Sequence, residues 1–402
     1  MRLTALICAL ALTASQAHGA SAHWVGSWGA SPAPPMAAPA DNPARGTPTF
    51  NNQTVTQIVR LSAGGQALRL RFSNEYGTKP LSIGTARVAL VDEHGTVVDG
   101  SLRTVHFSDA LSATAPPGAP LLSDPIRLPT KSLARLRVSV YLPSDTNGCT
   151  CHMSGSEAVQ VSLGDTTSDT SPVQGSASYR AFLSEVDVET TASNARVIVA
   201  FGDSITDGFK STTGANHRWP DRLSERLVEK TPATPYGVVN AGIGGNRVLS
   251  DGAIVSFGQS ALSRFDRDVL SVPGVTHVVV LEGVNDLGAS KTAPPSAQSL
   301  ISGYRQLIVL AHARGLKIIG ATVLPYGGAA YYAEPGEAVR QVINTWIRTN
   351  HEFDGVIDLD AAVRDPAKPE RMRADLQSGD WLHPNDAGYR VMGQAIDLAL
   401  FR

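Results

Sequence analysis

A serine that directly follows a buried strand is the residue of this sequence best suited to nucleophilic chemistry. Ser204 stands within residues 200–208, after the apolar run 197–199, and Gly202 and Asp203 interrupt the β-favouring residues just before it. This pattern predicts a strand that ends abruptly and turns into a helix. Because ligand crevices of open α/β sheets lie at the carboxyl ends of the strands, Ser204 is the candidate nucleophile.

A serine hydroxyl needs a general base within hydrogen-bond reach and a group that orients this base. His383 offers the base, and Asp380, three residues earlier in a turn before a predicted helix, offers the orienting carboxylate. At this spacing Asp380 can accept from one ring nitrogen while the other faces Ser204, which would complete a catalytic triad. His152 and His217 are alternative bases, but neither has an acid three residues earlier.

Four separated segments resemble the sequence blocks of the GDSL or SGNH hydrolase family. Gly202-Asp203-Ser204 is similar to the nucleophile block, and Asp380 with His383 is similar to the last block, written D-x-x-H. The second and third blocks are matched by residues 240–246 and 283–286. The resemblance covers roughly residues 195 to 402 and implies a serine hydrolase with these residues at its site.

The resemblance also implies an oxyanion hole. The second block of the family has a glycine whose N–H binds the oxyanion; Gly245 is the best match, and Gly242 and Gly244 stay open as alternatives. The third block has an asparagine whose side-chain amide is another donor, which corresponds to Asn285. The N–H of Ser204 would be the remaining donor. Such preorganised donors are usually the largest catalytic contribution to acyl transfer.

Each of these segments also has a purely structural interpretation. Asp203 and Ser204 could cap a helix, and Asn285 could lie in a plain turn after its strand. His383 could be a loop histidine. The glycines after residue 241 are spaced like a dinucleotide-binding loop, but Arg247 stands where the last glycine of that motif belongs, so no cofactor is expected.

Three further residues beside the proposed site are candidates for shaping the substrate pocket. They are Asp207, Arg247 and Trp381. An ordinary turn or packing function is the alternative for each of them. The loop of residues 326–334, which follows the fourth predicted strand, is expected to overhang the crevice.

Composition narrows the function classes. The 402 residues include 34 basic and 36 acidic side chains, for a formal net charge of −2. With no basic cluster and no recognition motif, a nucleic-acid partner is not expected. H-E-x-x-H and clustered carboxylates are both missing, so no metal is expected either. The α/β-hydrolase motif G-x-S-x-G is also absent around Ser204, which disfavours that fold.

The first 22 residues are interpreted as a signal peptide. Arg2 precedes a short apolar stretch, residues 3–12, and small residues follow at 19–22. A secreted location, extracellular or periplasmic, is therefore expected, without stable membrane insertion. Outside this segment only Cys149 and Cys151 remain. A local disulfide is the favoured interpretation for an oxidising compartment, and a reduced pair is the alternative.

Residues 23–191 are predicted to form an all-β accessory domain. Residues 55–61, 67–72 and 136–141 alternate apolar with polar or charged side chains, as half-buried antiparallel strands do. Several short strands separated by turn signals favour a sandwich, such as a jelly roll. The opening residues 24–28 and the turn 73–77 resemble a two-domain subgroup of the family that includes enzymes linked to deacylating plant polysaccharides.

Residues 192–402 are predicted to form the catalytic α/β domain. Strands are expected at residues 197–200, 237–241, 276–281, 317–323 and 355–359. Helices are expected near residues 220–230, 260–271, 296–314, 336–350 and 385–401. Five successive βα units predict a three-layer fold with a five-stranded parallel sheet. The flavodoxin-like strand order 2-1-3-4-5 is expected, partly because the family resemblance implies it.

The sequence therefore predicts a secreted serine esterase of the SGNH type that acts on a small-molecule or oligosaccharide ester, with acetyl groups on saccharide as the favoured substrate. A GDSL lipase or aryl esterase is the nearest alternative. A non-catalytic carbohydrate-binding protein with a vestigial site is the alternative from another class.

Overall fold

The computed structural model describes residues 21–38, 46–175 and 179–402. Residues 1–20, which carry most of the predicted signal peptide, lie outside the described residues, so that interpretation stays a prediction. Within the described ranges, no helix combines the length and the apolar character needed to cross a bilayer.

Antiparallel strands fill the chain from His23 to Thr190, a segment called the β region below. The strands are β1 (His23–Gly29), β2 (Gln53–Arg60), β3 (Leu68–Ser73), β4 (Leu81–Ile83), β5 (Ala86–Val91), β6 (Arg103–Thr104), β7 (Ala113–Ala115), β8 (Pro120–Leu122), β9 (Arg135–Leu142), β10 (Cys151–His152), β11 (Val159–Leu163), β12 (Arg180–Ala181) and β13 (Leu183–Thr190). Two sheets have the orders β1-β13-β3-β8 and β11-β2-β9-β5-β6, and β10-β12 and β4-β7 form two-stranded pairs.

Side-chain alternation explains how these strands bury one face. In β3, Leu68 and Leu70 are buried, whereas Arg69 and Arg71 between them are partly exposed. Leu70 lies opposite Val186 of β13 in the antiparallel pairing. Apolar side chains from both larger sheets belong to one hydrophobic core, so the predicted all-β character of this region is confirmed.

The rest of the chain, from Arg196 onward, alternates strands with helices and is called the α/β region. Its elements are β14 (Arg196–Gly202), α1 (Ser204–Asp207), α2 (Trp219–Lys230), β15 (Tyr236–Gly242), α3 (Ala261–Phe265), β16 (Val275–Leu281), α4 (Val284–Leu287), α5 (Ala297–His312), β17 (Lys317–Ala321), α6 (Glu334–Thr349), β18 (Gly355–Ile357), α7 (Leu359–Val363), β19 (Arg364–Asp365), β20 (Lys368–Met372) and α8 (Asp386–Ala395). Short 3₁₀ turns lie at Val255–Phe257 and Leu398–Phe401, and a π-helical turn follows α3 at Asp266–Leu270.

The five-stranded parallel sheet has the order β15-β14-β16-β17-β18, which confirms the predicted order 2-1-3-4-5. Residues 197–201 of the interior strand β14 are all fully buried, as expected for a strand covered on both faces. The carboxyl ends of β14, β15 and β16 therefore meet at one edge of the sheet.

Some element boundaries differ from the prediction. The last strand ends at Ile357 because the Asp358 side chain accepts from the Ala361 N–H and caps α7. The last helix ends at Ala395, where Ile396 adopts extended backbone, instead of continuing to residue 401. The small antiparallel hairpin of β19 and β20 was not predicted.

The β region packs against the edge strand β15. The Val238 N–H donates to Ser62 Oγ at 2.7 Å, so a side chain of the β region satisfies a backbone group of the sheet edge. Strand β1 approaches closely, since a Cβ atom added to Gly29 would lie 2.5 Å from the Val239 side chain. This packing brings the β region next to the carboxyl edge where the candidate site lies.

Candidate active site

A tight strand-to-helix turn presents Ser204. Strand β14 ends at Gly202, and Asp203 caps α1 by accepting from the Ile205 N–H at 2.8 Å. A Cβ atom on Gly202 would lie 2.5 Å from the Leu281 carbonyl oxygen, so the close approach of β14 to β16 leaves room only for glycine. In this turn Asp203 caps the helix and Ser204 is presented as the candidate nucleophile, so the two interpretations of this segment are compatible.

The structure brings Ser204, His383 and Asp380 together. Ser204 Oγ lies 2.8 Å from His383 Nε2, and His383 Nδ1 lies 2.7 Å from Asp380 Oδ2. A carboxylate only accepts hydrogen bonds, so Nδ1 carries the proton and Nε2 is free to accept from the Ser204 hydroxyl. The arrangement has the geometry that the sequence predicted for a nucleophile, its base and an orienting acid.

The loop around Asp380 holds its carboxylate in place. Asp380 Oδ1 accepts from the backbone N–H groups of Leu382 at 3.0 Å and His383 at 2.9 Å. Burial acts to raise the pKa of Asp380, but these hydrogen bonds, together with that from the His383 ring, lower it to about 2. Asp380 is therefore ionised at neutral pH and available as an acceptor.

Burial lowers the pKa of His383 below its ordinary value of 6.5, and the opposing attraction of Asp380 does not fully compensate. The Phe209 ring meets the imidazole edge-on, with centroids 4.7 Å apart, and contributes to this desolvation. Lys210, which follows Phe209, also disfavours the imidazolium. His383 is therefore neutral and able to act as a base at and somewhat below neutral pH.

The lowered pKa of His383 predicts how the activity depends on pH in the acidic range. Since only neutral His383 can accept the serine proton, kcat/KM should rise with pH, level off near neutrality, and have its acid midpoint below 6.5. The measurement is kcat/KM for a short p-nitrophenyl ester across the acidic and neutral range. His94→Gln, at an exposed histidine of the β region, is the control and should leave the midpoint in place. A midpoint above about 7 would contradict the inferred environment of His383.

The structure excludes one of the three glycines considered as donors to the oxyanion. The Gly242 N–H donates to Asn240 Oδ1 at 2.9 Å and is therefore unavailable. Among the hydrogen bonds of the described residues, neither the Gly244 nor the Gly245 N–H has an acceptor. Gly245 has φ +76°, and a Cβ atom there would lie 2.3 Å from the Phe257 ring, so the loop geometry requires glycine. Gly245 stays the favoured donor.

Asn285 lies in α4, directly after the end of β16. Its Nδ2 group donates to the Asn246 carbonyl at 2.9 Å, and its Oδ1 accepts from the Tyr331 hydroxyl at 3.3 Å. Because an amide nitrogen has two hydrogens, one remains for a substrate oxyanion. These contacts fix the orientation of the Asn285 amide and join residues 283–286 to residues 240–246.

Arg264 is a buried residue of the site that was not predicted from the sequence. Its guanidinium donates to the Gly202 carbonyl at 2.9 Å, to the Ala241 carbonyl at 2.8 Å and to Asn246 Oδ1 at 2.9 Å. Its guanidinium therefore links the ends of β14 and β15 to the loop of residues 242–246. An arginine inside an amphipathic helix has no sequence signal that distinguishes it from a surface residue.

Two histidines considered as alternative bases have other partners. His217 Nδ1 lies 2.7 Å from Asp386 Oδ2, and His152 Nε2 lies 2.9 Å from Asp207 Oδ1. Asp207 was predicted to shape the substrate pocket, but it is only 2% exposed and faces the β region. The prediction that Asp207 shapes the substrate pocket is therefore wrong, because a carboxylate buried against His152 is not accessible to a substrate.

Aromatic and cationic side chains surround the catalytic residues. Trp381 directly precedes Leu382 and His383, and the Arg371 guanidinium lies 5.4 Å from the centre of its ring. A Cβ atom on Gly328 would lie 2.9 Å from Trp381, so the loop of residues 326–334 reaches the site, as Tyr331 also shows. Arg247 lies two residues after Gly245, and no side-chain hydrogen bond of its guanidinium is found within the described residues.

The site and fold agree with the comparison to known families. Residues 200–391 match the model of the GDSL-like lipase/acylhydrolase family. These residues therefore correspond to a GDSL-like lipase/acylhydrolase domain, and the five-stranded parallel sheet described above is consistent with the SGNH fold. No similar sequence was found among curated proteins.

Solved structures similar to this chain include three hydrolases. A carbohydrate acetylesterase family member from Sinorhizobium meliloti is 18% identical over 50% of this chain and 94% of that chain, with a TM-score of 0.41. The acetyl xylan esterase AlAXEase is 24% identical over 50% of this chain and 96% of that chain, with a TM-score of 0.39. A lipase/acylhydrolase from Enterococcus faecalis is 20% identical over 50% of this chain and 92% of that chain, with a TM-score of 0.38.

Proposed function

We propose that the chain is a serine esterase that hydrolyses carboxylic esters through an acyl-enzyme intermediate. The observation that carries this proposal is the continuous hydrogen-bonded series from Ser204 Oγ through His383 to Asp380, with separations of 2.8 Å and 2.7 Å. The match of residues 200–391 to an acylhydrolase family model supports the same chemistry.

In the proposed first half-reaction, Ser204 Oγ attacks the ester carbonyl carbon while His383 Nε2 takes the hydroxyl proton. The carbonyl oxygen becomes an oxyanion, which accepts hydrogen bonds from the Gly245 N–H, the Ser204 N–H and the Asn285 amide. Ser204 is the first residue of α1, a position whose N–H has no partner within the helix. The tetrahedral intermediate then expels the alcohol, which takes the proton from His383.

In the second half-reaction, water enters the space left by the alcohol. His383 takes a proton from this water, and the resulting hydroxide attacks the acyl-serine carbonyl. Collapse of the second tetrahedral intermediate breaks the acyl bond to Ser204 Oγ, and His383 returns the proton to this oxygen. Asp380 stabilises the imidazolium in both steps because its carboxylate stays ionised.

For the substrate, we propose acetyl or another short acyl group on a saccharide. Phe209 is 42% exposed beside His383, and Trp381 lies two residues before His383 in the loop that carries Asp380, so aromatic surface is available to stack on a sugar ring. Arg371 and Lys210 add hydrogen-bond donors near these rings. The resemblance of the β region to a two-domain subgroup linked to polysaccharide deacylation favours the same substrate class.

A lipase or aryl esterase is the second candidate, and one observation favours it. Ile254 and Val255 are 45% and 52% exposed in the segment that leads to Phe257, whose ring packs against Gly245. Exposed apolar side chains near a site can bind a longer acyl chain or an aromatic alcohol. The two candidates share one mechanism and differ in the groups beside the scissile ester.

The substrate proposal predicts a steep dependence on acyl length. We expect kcat/KM for p-nitrophenyl acetate to exceed that for the octanoate by at least about tenfold, since a pocket closed around an acetyl group excludes the extra methylenes. Acetate release from acetylated xylo-oligosaccharide, measured beside these esters, should be faster than release from the same chains carrying butyryl groups. Higher kcat/KM for octanoate or dodecanoate than for acetate would favour the lipase and reject the acetylesterase.

We also propose that the protein is exported. The charged and apolar pattern of its first 22 residues supports this location. The disulfide that joins Cys149 and Cys151, with Cα atoms 5.2 Å apart, is compatible with an oxidising compartment.

A further inference from the structure

The β region contacts the nucleophile helix through a buried histidine. His152 belongs to the short strand β10 and lies with Nε2 2.9 Å from Asp207 Oδ1, the last residue of α1. Both side chains are almost fully buried. This contact joins residues 55 positions apart, and its aspartate is three residues from Ser204.

The hydrogen-bond partners of His152 determine its protonation. Nδ1 lies 3.0 Å from the Ser31 carbonyl oxygen, which can only accept, so Nδ1 carries a proton. Nε2 faces the Asp207 carboxylate, which also accepts when ionised, so Nε2 carries a proton as well. With a proton on each ring nitrogen, His152 is an imidazolium. Burial acts to lower the pKa of His152, but Asp207 and the Ser31 carbonyl together raise it above its ordinary value.

Helix α1 depends on contacts from outside itself. It comprises only four residues, Ser204–Asp207, and a single turn of helix is not stable alone. On one side it packs against the end of β15, where a Cβ atom on Gly242 would lie 2.3 Å from the Asp207 backbone nitrogen. Within the described residues, the only hydrogen bond of the Asp207 side chain is the one to His152.

The β region holds His152 firmly. Cys149 and Cys151 form a disulfide immediately before it, and both are fully buried. The Cys151 carbonyl accepts from the Ala33 N–H, and Cys151 pairs with Ala181 of β12. The cationic side chains that face the pair are Arg180 and Arg218, which line the same small cavity. Glu157 lies near both arginines and offsets their charge.

We propose that His152 is a positioning residue for Ser204, so that the β region forms part of the esterase site. His152 does not touch the reacting atoms; it holds α1 through Asp207 and thereby sets where the Ser204 hydroxyl lies relative to His383 and the oxyanion donors. This inference rests on the proposed function, since it concerns the same nucleophile. It assigns to the β region a direct function in catalysis in addition to any contact with a saccharide.

The test compares His152→Gln, Asp207→Asn and the double variant with the wild type. A displaced nucleophile lowers the rate of acylation without weakening substrate binding, so each single variant should lose about 10-fold to 100-fold in kcat with little change in KM. Because both changes break the same contact, the double variant should lose no more than the more impaired single variant. Phosphonylation of Ser204 by a fluorophosphonate should slow by a similar factor.

The control uses a second histidine–aspartate pair. His312 Nε2 lies 2.9 Å from Asp354 Oδ2 at the amino ends of the parallel strands, opposite the site, so His312→Gln should keep the wild-type kcat. If His152→Gln keeps kcat within about twofold of the wild type, the contact is only structural and the inference is overturned. Ser204→Ala separates this failure from failure of the proposed function, because an active Ser204→Ala variant would reject the esterase itself.

If His152→Gln does not fold, the pH dependence of kcat of the wild-type enzyme tests the inference instead. As pH rises through the raised pKa of His152, one of its two hydrogen bonds is lost and kcat should fall. Asp207→Asn already lacks the contact between His152 and the carboxylate, so the alkaline decline should be absent from this variant. A wild-type kcat that stays level up to the pH of alkaline unfolding would overturn the inference.

Discussion

Replacing Ser204 by alanine is expected to lower kcat for a short acyl ester by roughly 10⁵-fold or more. The variant lacks the oxygen that forms the acyl-enzyme, and His383 then has no hydroxyl to deprotonate at 2.8 Å. Residual hydrolysis would come from water held near the oxyanion donors, which survive the change because they are backbone and Asn285 groups. The measurement is kcat for p-nitrophenyl acetate with the variant and the wild type prepared identically.

Ser162→Ala is the matched control for this variant. Its hydroxyl lies on strand β11 of the β region and accepts from the Gln160 side chain at 3.2 Å, away from the sheet edge that carries the site. This control should retain wild-type kcat. Equal rates for Ser204→Ala and the wild type would eliminate the esterase proposal and leave the carbohydrate-binding alternative.

Replacing Asp380 by asparagine is expected to lower kcat by roughly 10⁴-fold. Asparagine keeps an oxygen for the Leu382 and His383 backbone N–H groups, so the loop should fold as before. Its amide nitrogen would then face His383 Nδ1, which must become an acceptor. The proton moves to Nε2, and the imidazole can no longer accept from the Ser204 hydroxyl.

The loss should appear mainly in kcat, because Asp380 does not bind the substrate. Asp375→Asn is the matched control in the same loop; Asp375 forms an exposed ion pair with Arg373 at 2.6 Å and should be dispensable for catalysis. Thermal unfolding of both variants would check that the loop is intact. If Asp380→Asn kept more than about a tenth of wild-type kcat, the orienting function assigned to Asp380 would be wrong.

Much of the site could be predicted because its residues belong to local patterns. A serine after a buried strand, and a carboxylate three residues before a histidine, each position side chains through short-range geometry alone. Parallel strands then bring their carboxyl ends to one edge, so Ser204, Gly245 and Asn285 were expected to converge. Gly242 could not be excluded in advance, since only the structure shows that Asn240 occupies its N–H.

The sequence by itself determined the fold class and the positions of Ser204, Asp380 and His383, since hydrophobic periodicity and turn residues act over short stretches of chain. The family resemblance of the sequence implied Gly245 and Asn285. Only the tertiary structure decided the environment of those residues. Arg264 beneath the strand ends, Phe209 beside His383 and His152 against Asp207 are contacts between elements distant in sequence. Such contacts depend on how helices and the β region pack against the sheet, and the resulting burial sets charge and pKa, which no local pattern specifies.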